Sequence, residues 1–142
     1  MLSESELRAR LEQIWKSPEG LTGWFKNVFH KPISERMMNT SFIFFALAGV
    51  LALLMRVQLA VPENTFLRPD LYNQFFTVHG STMMFLFAVP VMQAVGLYFV
   101  PLMIGTRNLA FPRLNAFDYY MFLIGGLLLW VGLALNIGAD TG

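Results

Sequence analysis

Two ionisable side chains stand inside long apolar runs, and they are the residues whose types could do chemistry there. His79 follows Phe75-Phe76-Thr77-Val78, and Arg56 follows Leu51-Ala52-Leu53-Leu54-Met55. An ionisable group at membrane depth is costly and marks a functional site by default. Imidazole ligates iron and copper, while a guanidinium holds a carbonyl or a carboxylate. Counted at ~1.5 Å per residue, both groups lie roughly 6–8 Å below one membrane surface. Two polar groups at one depth on antiparallel neighbours suit a single buried ligand. Gly80 lets a flat macrocycle come close to the imidazole, and Met83 and Leu86 follow His79 on one helical face. The plainer reading of the same spacing is a packing histidine, an arginine that snorkels to the interface, and a Met and Leu stripe that is simply core.

A second polar group gathers after the run that holds His79: Arg107, Asn108, Arg113, Asn115 and Asp118. Pro112 marks a loop, and residues 115–118 are expected to open the next helix. Asp118 is then favourable at a helix N-terminus for dipole reasons alone. On chemistry alone this group is a solvated loop with a cap.

The elements that position these residues follow from three apolar runs. They cover roughly residues 41–61, 75–104 and 117–137; each reaches the ~20 residues that cross a bilayer, and the second is longer. Helices are the form a short chain takes in lipid, because every backbone amide must find a partner within it. Pro90, Gly96 and Pro101 predict a tilted or kinked second span. Hydrophobic residues make up 56% of the 142 residues and charged residues 13%, about half the charge of a soluble domain. The formal net charge of +1 and the lack of a basic block exclude nucleic acid as a partner. With no cysteine, disulfides, thiolate metal sites and cysteine nucleophiles are excluded too.

Arg8, Arg10, Lys16, Lys26, Lys31 and Arg36 precede the first span, and Arg107 and Arg113 lie between the second and third. The excess of basic residues places the N-terminus and that second loop in the cytoplasm. Residues 1–38 form a cytoplasmic N-terminal segment, and residues 39–142 carry the spans. Met1 to Lys16 mix both charge signs and lack the apolar core of a signal peptide. Ser3 and Glu6 fit a capping box, and Leu7, Leu11, Ile14 and Trp15 follow at helical spacing. The segment is expected to be a short amphipathic helix on the membrane surface. Three spans make a poorly covered bundle, and the chain stops at Gly-Ala-Asp-Thr-Gly directly after the third. The fold class is therefore an all-α membrane protein, three transmembrane helices of a larger helical bundle.

The run Tyr72-Asn73-Gln74-Phe75-Phe76-Thr77-Val78-His79-Gly80 resembles the start of the second helix of subunit I of haem-copper terminal oxidases. Val100-Pro101-Leu102-Met103-Ile104-Gly105, continuing to Ala110-Phe111-Pro112-Arg113-Leu114-Asn115, resembles the family's following inner loop. Gly138-Ala139-Asp140-Thr141-Gly142 resembles its sequence after the third helix. The likeness covers about residues 39–142 and leaves out the N-terminal forty.

The resemblance implies that His79 is an axial ligand of a low-spin haem, with haem a the expected type. It implies that Arg56 contacts the periphery of that haem. Electrons from cytochrome c would pass through the haem to a haem–copper pair that reduces O2 to water, with proton translocation. The high-spin haem and copper would be ligated by later helices of the complete subunit. The implied partners are those remaining helices, oxidase subunits II and III, cytochrome c and the lipid membrane. The implied location is a bacterial inner membrane, crossed several times.

The sequence departs from the family at the proton pathway. Asn108 stands where pumping members carry an Asp, Ala116 follows Asn115 where a second Asn is common, and Asp118 replaces a typical Ser. The paired change makes Asp118 the candidate entry carboxylate, with Asn108 and Asn115 on the same route. Gln58 stands where some relatives have a Glu that helps bind calcium or sodium, and a neutral amide weakens that site. Quinol-oxidising relatives carry polar residues where this chain has Leu47, Leu51 and Leu71, so no hydrogen-bonding partner for a quinol remains. Cytochrome c is therefore the expected donor. The alternatives are a quinol-oxidising member of the same family, a non-catalytic scaffold or assembly protein, and a three-helix haem carrier.

Overall fold

The computed structural model describes residues 3–15 and 20–138, and within them the side chains of Ile14, Trp15 and Leu21 are left out. Lys16 and the run Ala139-Asp140-Thr141-Gly142 lie outside the described residues. Every regular element among those described is helical: α1 Glu4–Trp15, α2 Gly20–Lys26, α3 His30–Gln58, α4 Pro69–Ser81, α5 Val89–Met103 and α6 Pro112–Ala134. A π-helical segment, Thr82–Ala88, joins α4 to α5 and makes one rod, Pro69–Met103, of 35 residues. This rod, α3 and α6 are each long and apolar enough to cross a membrane. The architecture is the all-α, three-span bundle expected from the apolar runs.

The helices start earlier than the apolar runs do. Hydropathy marks only the part immersed in lipid, whereas backbone hydrogen bonding continues into the polar boundary. Pro69 and Pro112 open α4 and α6, where a missing N–H costs nothing. Lys31 and Arg36 consequently lie in the first two turns of α3, ahead of its apolar run. Asp118 falls in the second turn of α6, and the first turn carries no acidic residue. The helix-dipole reading of Asp118 is thereby lost.

The ends close by recognisable backbone devices. After α5, Gly105 adopts φ +70°, and Thr106 N–H reaches Pro101 C=O at 2.9 Å. After α6, Asn136 adopts φ +56°, and Ile137 N–H reaches Gly132 C=O at 3.0 Å. Both are Schellman closures, which need a residue that tolerates the left-handed region. The start of α3 has no cap of its own. Asn108, in the loop before α6, lends its Oδ1 to His30 N–H at 3.1 Å.

The irregularity in the long rod falls one turn before Pro90. A proline has no N–H for the carbonyl four residues back, and its ring crowds that carbonyl. Widening the turn to π geometry relieves both, which places the irregularity at Thr82–Ala88.

Helix α3 is the centre of the bundle. Its buried residues Ile33, Met37, Ser41, Phe44, Ala48, Leu51 and Met55 recur every three or four positions and form one stripe. Ile33 and Met37 pack with Ala94, Ala116 and Tyr119 at the end that carries His30. Leu51 packs with Val78 and Leu133 towards the Gln58 end. The other face of α3 turns Phe42, Ile43 and Leu53 outwards, as lipid requires. Polar groups tie the helices where they cross. Ser34 Oγ donates to Ala94 C=O at 2.9 Å, and the Thr40 and Tyr119 hydroxyls meet at 3.2 Å.

Gly126 of α6 marks the tightest crossing. A Cβ there would stand 2.5 Å from Phe44 Cζ and 3.2 Å from Leu86 Cδ2. Gly126→Ala is expected to destabilise the bundle by about 1–3 kcal/mol, the usual cost of overpacking. Thermal melting of the full-length protein in detergent measures it, and an unchanged melting temperature would show that Phe44 simply swings aside.

The amino-terminal segment forms its capping box. Ser3 N–H donates to Glu6 Oε2 at 2.9 Å, and Glu6 N–H donates to Ser3 Oγ at 3.3 Å. The Ser3 backbone amide, then its hydroxyl, hold the Glu6 carboxyl below the usual range. A lowered pKa adds stability above the ordinary glutamate value and loses it as pH falls through the lowered one. The protection factor at the Leu7 amide, bonded to Ser3 C=O at 3.0 Å and referred to the intrinsic exchange rate at each pH, is therefore expected to fall on acidification. Ser3→Ala should abolish that pH response. Leu7 and Leu11 are exposed and pack on nothing described.

Candidate functional site

His79 lies in the last turn of α4, half-buried, with its ring turned to α3. Nδ1 stands 2.9 Å from Ala48 C=O. A carbonyl oxygen only accepts, so Nδ1 must carry the proton. In a neutral ring this sets the tautomer, and Nε2 is then the nitrogen that carries the lone pair. A backbone carbonyl on the far nitrogen is the usual support of a metal-ligating imidazole, since it fixes the ring and raises its basicity. Gly80 lies beside open space, and a Cβ there would meet nothing within 4 Å.

The surroundings narrow what Nε2 could bind. No group of three His, Cys, Asp or Glu side chains among the described residues could hold a bare metal ion. Iron in a macrocycle needs only axial ligands from the protein. One fixed imidazole beside an open glycine face fits that kind of group.

Leu86 is buried beside Gly126 of α6. One expectation about the neighbourhood changes. Arg56 is exposed and lies eight residues beyond Ala48 on α3, about 12 Å along the axis. It therefore sits nearer the Gln58 end than His79 does. The equal depth expected from sequence assumed that the second span starts near Phe75, whereas α4 starts at Pro69.

At the opposite end, Asn108 is committed to structure. Its Oδ1 accepts from His30 N–H and from Leu109 N–H at 2.9 Å, and its Nδ2 donates to Val28 C=O at 3.4 Å. Asn115 and Asp118 lie one turn apart on α6, both half-buried. Asp118 Oδ2 accepts a hydrogen bond from Gln93 Nε2 of α5. The structure thus brings Asp118 to Gln93, and it turns Asn108 towards α3.

Leu51 is a core residue, Leu47 is exposed and Leu71 is half-buried. Gln58 organises the loop after α3, donating to Asn64 C=O at 2.5 Å and accepting from Leu67 N–H at 2.6 Å. A cavity of about 540 Å³ opens beside it, lined among others by Asn64, Arg68 and Tyr72. Thr82, three residues after His79, is fully buried, and its hydroxyl finds no partner among the described residues.

Sequence reasoning missed three groups. Arg36 read as a surface charge, yet it is fully buried. Gln93 carried no signal, being one amide in an apolar run. The Ala48 carbonyl that orients His79 could not be read at all, because every residue has one.

Comparison with known proteins places this geometry in context. Residues 33–142 match the family described as cytochrome c and quinol oxidase polypeptide I. The chain is 43% identical over 119 residues to cytochrome c oxidase subunit 1 of Alkalihalophilus pseudofirmus, covering 84% of this chain and 19% of that one. It is 46% identical over 137 residues to the heme-copper oxidase subunit I+III of Aeropyrum pernix, covering 96% of this chain and 16% of that one. It is 46% identical over 102 residues to cytochrome c oxidase subunit 1 of Synechocystis, covering 72% and 18%. The chain spans about a fifth of the length of these relatives. The likeness to the Aeropyrum protein takes in much of the amino-terminal segment, which the sequence motifs left out.

Proposed function

Because the chain belongs to the cytochrome c and quinol oxidase polypeptide I family, we propose that it is part of the catalytic subunit of a respiratory terminal oxidase and that His79 is an axial ligand of a low-spin haem. The observation that supports this most is the Nδ1–H bond from His79 to the Ala48 carbonyl. It fixes the ring and leaves Nε2 as the nitrogen open to a ligand. When bound, the haem would supply a one-electron iron couple, with haem a the type proposed.

The chain's own residues would do the rest. Ala48 holds the imidazole plane through its carbonyl. Gly80 leaves the approach open. Arg56 offers a positive charge towards the haem periphery from the Gln58 side. The apolar residues around Val78 keep water from the imidazole, which favours electron transfer with little reorganisation.

We assign proton entry to Asp118, with Asn115 one turn nearer the His30 end. A carboxylate on Gln93 can give and take a proton, whereas the Asn108 amide is occupied in capping α3. Cytochrome c is the proposed electron donor, since Leu47, Leu51 and Leu71 offer a quinol no hydrogen bond. The remaining helices of subunit I, subunits II and III and cytochrome c are the proposed partners. The high-spin haem and copper would be held by residues beyond these. The proposed setting is a bacterial inner membrane, with the N-terminus and the Asn108 loop on the cytoplasmic side.

Haem content tests the reading. The purified full-length subunit should carry one low-spin haem with nitrogen axial ligation, read by optical and electron paramagnetic resonance spectra. Absence of stoichiometric low-spin haem would return the chain to the role of a scaffold or assembly protein.

A further inference from the structure

Arg36 is 0% exposed in the second turn of α3, and no carboxylate pairs with it among the described residues. A buried cation is kept only where its hydrogen bonds are met. Here Nε donates to Pro32 C=O at 3.1 Å, Nη1 to Phe25 C=O at 2.8 Å, and Nη2 to Asn27 C=O at 2.5 Å. Nη1 also reaches the Tyr120 hydroxyl at 3.5 Å, and that hydroxyl itself donates to Phe25 C=O. The rings of Trp24 and Tyr119 lie 5.3 and 5.2 Å from the guanidinium carbon.

Two of these carbonyls, of Phe25 and Asn27, belong to the open C-terminal end of α2. That helix has seven residues, too few to persist alone. A cation on its last carbonyls satisfies them and opposes the dipole. Arg36 is thus the clasp that holds α2 to the bundle.

The face that α2 then presents is aromatic and basic. Trp24 and Phe25 stack edge to face at 4.8 Å, and both remain exposed. Lys26, next in sequence to Phe25, and Lys31, in the first turn of α3, are exposed as well. Aromatic rings flanked by lysines at the end of a span match the acyl–headgroup boundary, with phosphates in reach of the ammonium groups. We propose that Arg36 fastens α2 as a lipid-binding anchor, with Trp24 and Phe25 seated in that boundary and Lys26 and Lys31 on lipid phosphates. The partner is a phospholipid surface, and the inference does not depend on the haem reading.

Benzoyl-phenylalanine placed at Phe25 in the full-length subunit, in native membranes, tests it by photocrosslinking and mass analysis. A second probe at Leu53, exposed on the outer face of α3, serves as the reference. A phospholipid adduct at Phe25 is expected. Arg36→Leu should lower its yield roughly tenfold relative to Leu53, the loss expected from one charge-assisted hydrogen bond. If that variant does not accumulate, Arg36→Lys, which lacks the fork that reaches both carbonyls, should give the same loss. A protein adduct at Phe25, or no adduct while Leu53 reacts, overturns the anchor. A yield unaltered by the Arg36 substitutions overturns the clasp.

Discussion

Replacing His79 with alanine in the full-length oxidase is expected to remove the low-spin haem band from the reduced-minus-oxidised spectrum and to abolish oxygen consumption. The expected size follows from the ligand chemistry. Disturbing a group that only orients a ligand costs roughly 10–100-fold in affinity, and losing the ligand itself costs more. Alanine also leaves the Ala48 carbonyl without its 2.9 Å partner. Added imidazole has room to enter beside Gly80, where a Cβ would meet nothing within 4 Å. Partial return of the band with imidazole would separate loss of a ligand from general misfolding. An undiminished low-spin band in His79→Ala would mean that the imidazole only packs, and the proposed function would fall with it.

The second large effect is expected at Asp118. Asp118→Asn keeps the shape and a hydrogen-bonding oxygen for Gln93, but it removes the group that can carry a proton. Turnover of the full-length oxidase should fall by about two orders of magnitude, the usual worth of a positioned acid or base. Asp118→Glu should restore much of it. Proton uptake measured alongside turnover is the discriminating readout, since a purely structural role would leave the ratio of protons to electrons unaltered. Equal turnover and uptake in Asp118→Asn would sink the assignment. Asn108→Asp is informative in the opposite direction. Its amide Nδ2 and Oδ1 both serve the start of α3, so a carboxylate there trades capping for charge.

What could be read in the sequence was what depends on local composition. The three spans stand out because lipid demands long apolar stretches, and His79 stands out because an imidazole within one is rare. Their boundaries were harder to read, since α3 runs on through His30, Lys31 and Arg36 in residues that hydropathy scores as surface. Arg36 was misplaced for this reason. Its solvation comes from carbonyls of another segment and from two rings on other elements. Met83 and Leu86 were projected with an α-helical period, whereas Thr82–Ala88 is π-helical. Asp118 was legible as an oddity against the family pattern, but its partner Gln93 lies 25 residues away on another helix. Contacts of that kind are set by how helices cross, and no local spacing encodes them.

The borrowed cap on α3 has a consequence in time. His30 N–H waits for Asn108, which lies 78 residues later in the chain. Tyr120, which completes the hold on Phe25, comes 95 residues after it. At a synthesis rate of about 5–20 residues per second, the first span spends several seconds in place before either partner exists. During that interval the first N–H of α3 has no cap, and Arg36 holds α2 without the help of Tyr120. The end of the bundle made first is therefore finished last, and a ribosome paused between Gln58 and Asn108 would hold a nascent chain whose first helix is still open at its start.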